Sequence, residues 1–434
     1  MPEHRRRSAC TAPAVKIAIV SYFAPPQPAV ASHRVIRMTR ALRAAGHDVH
    51  WVTLDPRALD RVDETLAAVT PPGVRVHGLG GVNLVDRTAN GFVEKVVRTL
   101  IFTLPDWWPV LDRHVEWSRR LVRELPGIVR QEGIDAVLLC CGPHGQLECI
   151  PALRRRCPGV RVLVDYRDLL SGNTWRDRKT ERMRARVQAR ERRLLAGAEA
   201  LSVNTADALD SFLKTFDGFE GLPVEVVRNA ADHELGAQIL GLGPAVDLGP
   251  GLHLGFFGTI FPKRRLRQLL DAMARLDARQ LAELHVHVWC DAAGSASLLA
   301  EDLAAATPQV AARVTRHDFL GYGDALRTMA ACDALVLVNS PDPADQIFVP
   351  GKLYDYLMAA RPVLFFGDRG DAWNIVADTS GADACFTHEE PDRAAAWLEA
   401  LVSHGRPADR PPVAAYEPAA SFAPLLRRLA GDRA

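Results

Sequence analysis

The stretch Val349–Leu364, Val-Pro-Gly-Lys-Leu-Tyr-Asp-Tyr-Leu-Met-Ala-Ala-Arg-Pro-Val-Leu, combines residue types and spacings suited to holding a phosphorylated sugar. It reads as a loop, then a short helix opened by Pro350-Gly351, a stop at Arg361-Pro362, and a buried strand, Val363–Phe366. The first turn of a helix offers unpaired amide N–H groups and a positive dipole end, which favour an anion. Lys352 falls in that turn, and Asp355 follows three residues later on the same face. A cation beside phosphates and a carboxylate beside sugar hydroxyls is what a nucleotide-sugar site requires. The plainer role for Asp355 is to cap or solvate its own helix.

Other loops offer matching chemistry. Phe257-Gly-Thr-Ile-Phe-Pro-Lys-Arg-Arg265 follows an apolar strand. Gly258 allows close approach of a ligand to the backbone, Pro262 suits a helix start, and Lys263 and Arg264 follow at once. Gly258, Thr259 and the two cations are therefore candidates for a diphosphate clamp in partnership with Lys352. A tight turn with a solvated basic helix start is the alternative. Phe319-Leu-Gly-Tyr-Gly-Asp324, around Leu320, lies between a strand and a helix where its backbone could hold a base edge. In the first half, Val164-Asp-Tyr-Arg-Asp-Leu169 ends a strand. Carboxylates flanking an arginine are costly to bury unless paired, so Arg167 and Asp168 are expected either at a cleft or in a structural ion pair. His144 follows another strand and is a candidate acceptor contact, although a lone histidine is more often satisfied locally. Arg34, in the first turn of a helix after the loop Ser21–His33, is placed to meet an anionic acceptor. Arg34, Arg37, Arg40 and Arg43 also recur every three residues, as a solvated ridge would.

The elements that must position these residues alternate along the whole chain. Strands are expected at 15–20, 48–53, 135–140, 160–164, 200–203 and 223–227, with helices at about 32–45, 114–131, 145–156, 180–195 and 205–215. Residues 235–252 are rich in Gly and Pro and show neither periodicity, as an interdomain segment would. Alternation resumes with strands at 252–256, 284–289, 312–316, 334–338 and 363–366, and helices at 262–275, 296–306, 322–330, 351–360, 389–403 and 419–430. Short continuous apolar runs such as Asp135–Cys140 fit a parallel sheet covered on both faces. The reading is α/β, with two doubly wound Rossmann-like domains facing across a cleft. The first domain spans 1–234, a linker 235–251 and the second domain 252–415, and a last helical segment, 416–434, is expected to pack back on the first domain.

Composition sets the limits. The 434 residues suit two or three domains, and 48% hydrophobic with 24% charged residues is ordinary for a globular protein. A net charge of +1 argues against a dedicated nucleic-acid binder. Eight cysteines are scattered without Cys-x-x-Cys pairs or histidines at metal spacing, as buried thiols in a reducing compartment would be. No run of about 18 apolar residues exists, so a cytoplasmic location is expected. Two features suggest peripheral contact with the inner face of a membrane. Residues 176–193 carry nine Arg or Lys against three Asp or Glu, and Phe92–Leu104 mixes apolar residues with Lys95 and Arg98 ahead of Trp107-Trp108. A charged surface helix beside a core helix is the plainer account of both. Gly78-Leu-Gly-Gly-Val-Asn83 fails the dinucleotide fingerprint. The sequence has no P-loop, no zinc-type cluster and no Asp-x-Asp pair, so neither a metal nor another cofactor is expected.

The chain resembles the GT-B glycosyltransferases, specifically the large retaining family numbered four. The resemblance is carried by Tyr22-Phe-Ala-Pro-Pro26 with Arg34 and Gly46-His47, Pro105-Asp106 with Trp117, Asp165-Tyr-Arg-Asp168, Val227-Arg-Asn-Ala230, Phe256-Phe-Gly-Thr259, Val349–Leu357 and Arg361-Pro-Val363. It implies that the second domain holds the nucleotide sugar. Gly258, Thr259 and Lys263 or Arg264 would meet the diphosphate, the amides of Val349, Pro350-Gly351 would assist, and Asp355 would bind ribose as the second of the family's paired acids. The first acid of that pair falls at Ile347, and the family's frequent catalytic histidine falls near Arg167. The implied activity is retaining transfer from a nucleoside diphosphate sugar, a UDP-sugar, to a hydroxyl of a glycan, lipid-linked or small-molecule acceptor, as in cell-surface polysaccharide synthesis. A degenerate nucleotide-sugar binder and a UDP-sugar epimerase of the same build are the alternatives.

Overall fold

The computed structural model describes residues 14–80, 92–108, 110–173, 180–219, 221–291 and 294–430. Seven strands form the first sheet: β1 (Lys16–Val20), β2 (Asp48–Leu54), β3 (Arg75–Leu79), β4 (Ala136–Cys141), β5 (Arg161–Tyr166), β6 (Ala200–Val203) and β7 (Val224–Val226). Six form the second: β8 (Leu252–Phe257), β9 (Leu284–Trp289), β10 (Val314–His317), β11 (Ala334–Val338), β12 (Val363–Phe366) and β13 (Cys385–Phe386). The spatial orders are β3-β2-β1-β4-β5-β6-β7 and β10-β9-β8-β11-β12-β13, and every pairing is parallel. The expected pair of doubly wound Rossmann-like lobes is what the chain forms.

The reason lies in burial. Ile17, Ala18, Ile19 and Val20 of β1 are all fully buried, as a strand covered by helices on both faces must be. Register follows, with Ile17 opposite Val49 on one side and Ala136 on the other. The first helix, Val30–Ala44, ends before Gly46, whose φ of +87° is the left-handed turn that returns the chain to β2. Strand order reverses at β1/β4 in the first sheet and at β8/β11 in the second, and crevices open at the carboxyl ends of strands where that happens.

One apolar core runs across both lobes. Val35, Ile36 and Met38 of the first helix share it with Leu353, Tyr354, Leu357 and Met358 of the Lys352–Met358 helix. The last helix, Ala423–Ala430, contributes Leu425 and Leu429 to it, and Arg428 Nε donates to Glu225 Oε1 of β7 at 2.9 Å.

The helices Glu64–Ala68 and Asp371–Ser380 and strand β13 were not expected, and three further differences bear on the packing around the crevice. Strand β3 was not expected, because only Leu79 of its five residues is buried and an edge strand lacks the apolar run. The supposed linker contains a helix, His233–Leu240, in which Asp232 Oδ1 accepts from Leu235 N. Its Gly236 hid the periodicity, and that glycine is there for packing: a Cβ would meet Met358 Cβ at 3.2 Å. The helix expected from 262 starts only at Arg267, so Lys263 and Arg264 lie on a loop closed by an isolated bridge between Phe261 and Arg264.

Candidate active site at the β8/β11 crevice

The loop after β8 brings Gly258, Thr259, Lys263 and Arg264 to the crevice, and the loop after β11 brings Asp342, Asp345 and, at its end, Lys352. Gly258 has a φ of +102°, the region that favours glycine, and among the described residues nothing beyond its chain neighbours lies within 4 Å of where a Cβ would stand. Thr259 beside it is exposed. Lys352 reaches back across the crevice, where Nζ donates to Phe257 O at 3.0 Å and sits 3.7 Å from the centre of the Phe256 ring. Burial, together with the adjoining Arg264 charge, pushes this ammonium down to about 7. Burial also lowers Arg264, against the raising influence of Asp345 and, from the first lobe, Asp168. Lys263 is half-exposed and bridges Asp342 at 2.7 Å and the fully buried Asp345 at 3.3 Å. The three candidate cations therefore share one neighbourhood, linked through Asp345 and Arg264. The Lys352–Met358 helix is only seven residues long, so its dipole is a lesser contribution beside these charges.

Asp345 is a site member that the sequence reading missed. A lone aspartate in a Pro-rich loop carries no signal until the fold buries it beside two cations.

Asp355 was expected at a ribose. It faces the other lobe instead, accepting a short hydrogen bond from Arg37 Nη2 and lying 3.7 Å from His33 Nδ1. Arg37 also donates to Tyr322 Oη at 3.1 Å. Burial alone would lower Arg37, but Tyr322 and Asp355 raise it, while Arg37 and His33 hold Asp355 down against its own burial. Val349 is buried in the shared core, Pro350 is half-buried, and a Cβ on Gly351 would meet Val30 Cγ1 of the first lobe at 2.5 Å. The loop near Leu320 is also engaged by the first lobe. Asp63 Oδ2 accepts from Tyr322 N at 2.8 Å and Thr65 Oγ1 from Gly323 N at 2.9 Å, so these amides face a partner rather than a base edge. The Tyr322–Ala331 helix has no side-chain cap of its own, and Asp63 also accepts from Thr65 N and Leu66 N. Ile347 packs against the first lobe's core, and its carbonyl accepts from Thr205 Oγ1 at 2.9 Å.

The expected acceptor contacts are placed differently. Arg34 is 4% exposed, and its guanidinium is held by four hydrogen bonds: two to Asp165 at 2.7 and 2.9 Å, one to Asn229 Oδ1 at 2.8 Å and one to Val227 O at 2.9 Å. Ser202 Oγ adds a bond to Asp165 Oδ1 at 2.6 Å. This is a structural keystone rather than a waiting anion contact, because a charge so buried persists only when fully paired. Arg37 is likewise buried, while Arg40 and Arg43 are part-exposed, so only half of the arginine ridge meets solvent. His144 is fully buried, with Nε2 2.8 Å from Asp168 O and its ring against Tyr166. It supports the loop that carries Arg167 and Asp168 rather than meeting an acceptor. Those two side chains are part-exposed and 3.4 Å apart, with Asp168 close enough across the crevice to raise Arg264. A further support went unread in the sequence. Glu191 accepts from Tyr166 Oη at 2.8 Å and Ser171 N at 3.2 Å, and burial pushes its carboxyl up to about 7.

Of the suggested membrane features, residues 176–179 and the side chains of 92–94, 98 and 104–107 lie outside the described residues. Leu100 and Trp108 are exposed, and the Glu181–Leu195 helix presents exposed Arg182, Arg184 and Arg186. Among the described residues no helix is long and apolar enough to cross a membrane.

Two parallel Rossmann-like sheets with such a crevice recur among known structures. A family model described as a glycosyl transferase 4-like domain matches residues 31–230. No curated protein matches the chain in sequence. Solved structures share the GT-B fold at low identity. Anabaena HepE in complex with UDP and glucose is 14% identical, with 95% of each chain covered and a TM-score of 0.58. Sucrose-phosphate synthase from Thermosynechococcus elongatus is 14% identical, covering 96% of this chain and 94% of its own, with a TM-score of 0.56. An E. coli trehalose-6-phosphate protein bound with UDP-2-fluoro glucose is 10% identical, covering 96% and 99%, with a TM-score of 0.61. The chain therefore has the GT-B fold over nearly its whole length.

Proposed function

We propose that the protein is a glycosyltransferase that moves a sugar from a UDP-sugar to an acceptor hydroxyl with retention at the anomeric carbon. The observation behind this reading is the crowding of Lys263, Arg264 and Lys352 around the end of β8. A lysine pushed down to about 7 beside an arginine is an unfavourable arrangement that a bound diphosphate relieves. In the front-face step, the bond from the anomeric carbon to the phosphate oxygen breaks as the acceptor oxygen bonds to the same face, and the acceptor proton passes to the departing phosphate. Arg264 and Lys352 stabilise the charge that develops on the leaving group, with no bridging metal required. Asp168 and Arg167 stand where an acceptor would approach from the first lobe. Donor entry requires the Arg37–Asp355 contact to open if Asp355 is to reach a ribose. A role in surface polysaccharide synthesis at the inner face of a membrane fits the exposed basic helix and the exposed Leu100 and Trp108.

The test measures UDP release from a panel of UDP-sugars with and without acceptor, comparing parent protein with Lys352→Ala. Acceptor-dependent release that falls at least about a hundredfold in the variant supports the reading. Unchanged release in a folded variant removes the clamp. The apolar anchoring of Ile347 favours one second reading, a binder without catalysis, which UDP binding without turnover of any donor would select. Conversion of UDP-N-acetylglucosamine without acceptor would instead mark an epimerase.

A further inference from the structure

A second cluster lies towards the opposite, amino end of the first sheet. His50 of β2, His77 of β3 and Glu132, the last residue of the Val115–Glu132 helix, each bring a ligand atom to within 4.8 Å of the other two. Lys16 at the start of β1 donates to Glu132 O at 3.1 Å, which fixes the helix end beside the strand starts. We propose that His50, His77 and Glu132 bind a divalent transition metal of the zinc class, which clasps the edge strand β3 to β2 and to this helix end.

Two imidazole nitrogens and a carboxylate oxygen form a ligand set that zinc accepts, with water completing the coordination. Two Zn–N bonds of about 2.0–2.1 Å at a tetrahedral angle set their nitrogens about 3.4 Å apart. His50 Nδ1 and His77 Nε2 are 3.1 Å apart, so the pair needs only a small adjustment. A hydrogen now lies between them; a metal at bonding distance from both would sit to one side of that line, with the rings turned towards it and the hydrogen lost. His50 is fully buried, which fixes its ring, and its other nitrogen lies 3.6 Å from Asp48 Oδ2. That separation is too long for a hydrogen bond, and His50 Nε2 has no hydrogen-bond partner among the described residues, so the carboxylate would have to move closer to orient a metal-bound imidazole. His77 and Glu132 are half-buried, so ions from solvent can reach them. A competitor is also present: Arg75 Nη1 donates to Glu132 Oε2 at 2.8 Å, so a bound metal contends with a guanidinium for that carboxylate. The histidines are 27 residues apart.

The experiment titrates zinc chloride into the full-length, tag-free protein by calorimetry, with magnesium as the control ion. One zinc per chain is expected, with no magnesium response. His77→Ala and Glu132→Gln should each weaken zinc at least about tenfold, with folding checked by circular dichroism. Arg75→Ala should tighten it severalfold, an outcome that loss of a merely structural ion pair would not produce. Equal zinc affinity in parent and His77→Ala, or weaker binding in Arg75→Ala, overturns the proposal. As a measurement on the parent alone, X-ray absorption at the zinc edge should show two imidazole ligands, and an oxygen-only shell overturns it. None of these readouts depends on sugar transfer or on nucleotide binding.

Discussion

Two groups of buried charges sit within the same chain and are built in opposite ways. In the first lobe, Arg34 meets Asp165, Asn229 and Val227 O, and Ser202 completes the carboxylate's contacts. In the second lobe, the partners of Lys352 among the described residues are a carbonyl and a ring face, and the charge that shifts it is that of another cation, Arg264. A satisfied network contributes to stability and resists change, whereas a frustrated one costs stability and gains when a ligand of opposite charge arrives. Residue type alone does not separate the two cases. The balance of partners does.

That contrast is easiest to break at the keystone. Arg34→Gln strands the buried Asp165 carboxylate and should destabilise the fold by about 3–5 kcal/mol, read as a lower urea midpoint. Lys352→Met should act with the opposite sign on stability. The unfolded chain holds this proton more firmly than the folded one, so the free protein gains stability as pH rises from about 7 towards the ordinary lysine value. Removing the charge should raise the melting temperature at pH 7, while transfer falls at least about a hundredfold. Glu191 sharpens the comparison within the first lobe. Its raised carboxyl keeps the proton better when folded, so the stability it contributes is complete at low pH and is lost as pH rises through about 7. Glu191→Gln should flatten that pH dependence, seen in denaturation midpoints across about pH 5–8. The smallest effect is calorimetric. At pH 8 in buffers of different ionisation enthalpy, UDP binding should take up as much as about one proton in the parent and none in Lys352→Met.

The alternating apolar runs made the lobes legible, because strands buried on both faces announce themselves without knowledge of their neighbours. The crevice loops were legible for a related reason, since Gly258, Lys263, Arg264 and Lys352 lie at the ends of those strands. Partnership was not legible. Arg34 and Asp165 are 131 residues apart and Arg37 and Asp355 are 318 apart, so a cation at a helix start reads the same whether it awaits a ligand or already grips a carboxylate. Edge strand β3 and the glycine-bearing helix at 233–240 escaped for want of a clean period. The meeting of His50, His77 and Glu132 escaped because metal motifs are recognised by short spacing, and here three separate elements supply the atoms.

The Asp63 carboxylate and the Thr65 hydroxyl finish a helix that belongs to the opposite lobe. Parting the lobes would strip Tyr322 and Gly323 of those acceptors, so the durability of that helix's opening turn is tied to closure of the whole molecule. Deuterium uptake at these two amides would then act as a gauge of how often the crevice gapes, readable without substrate.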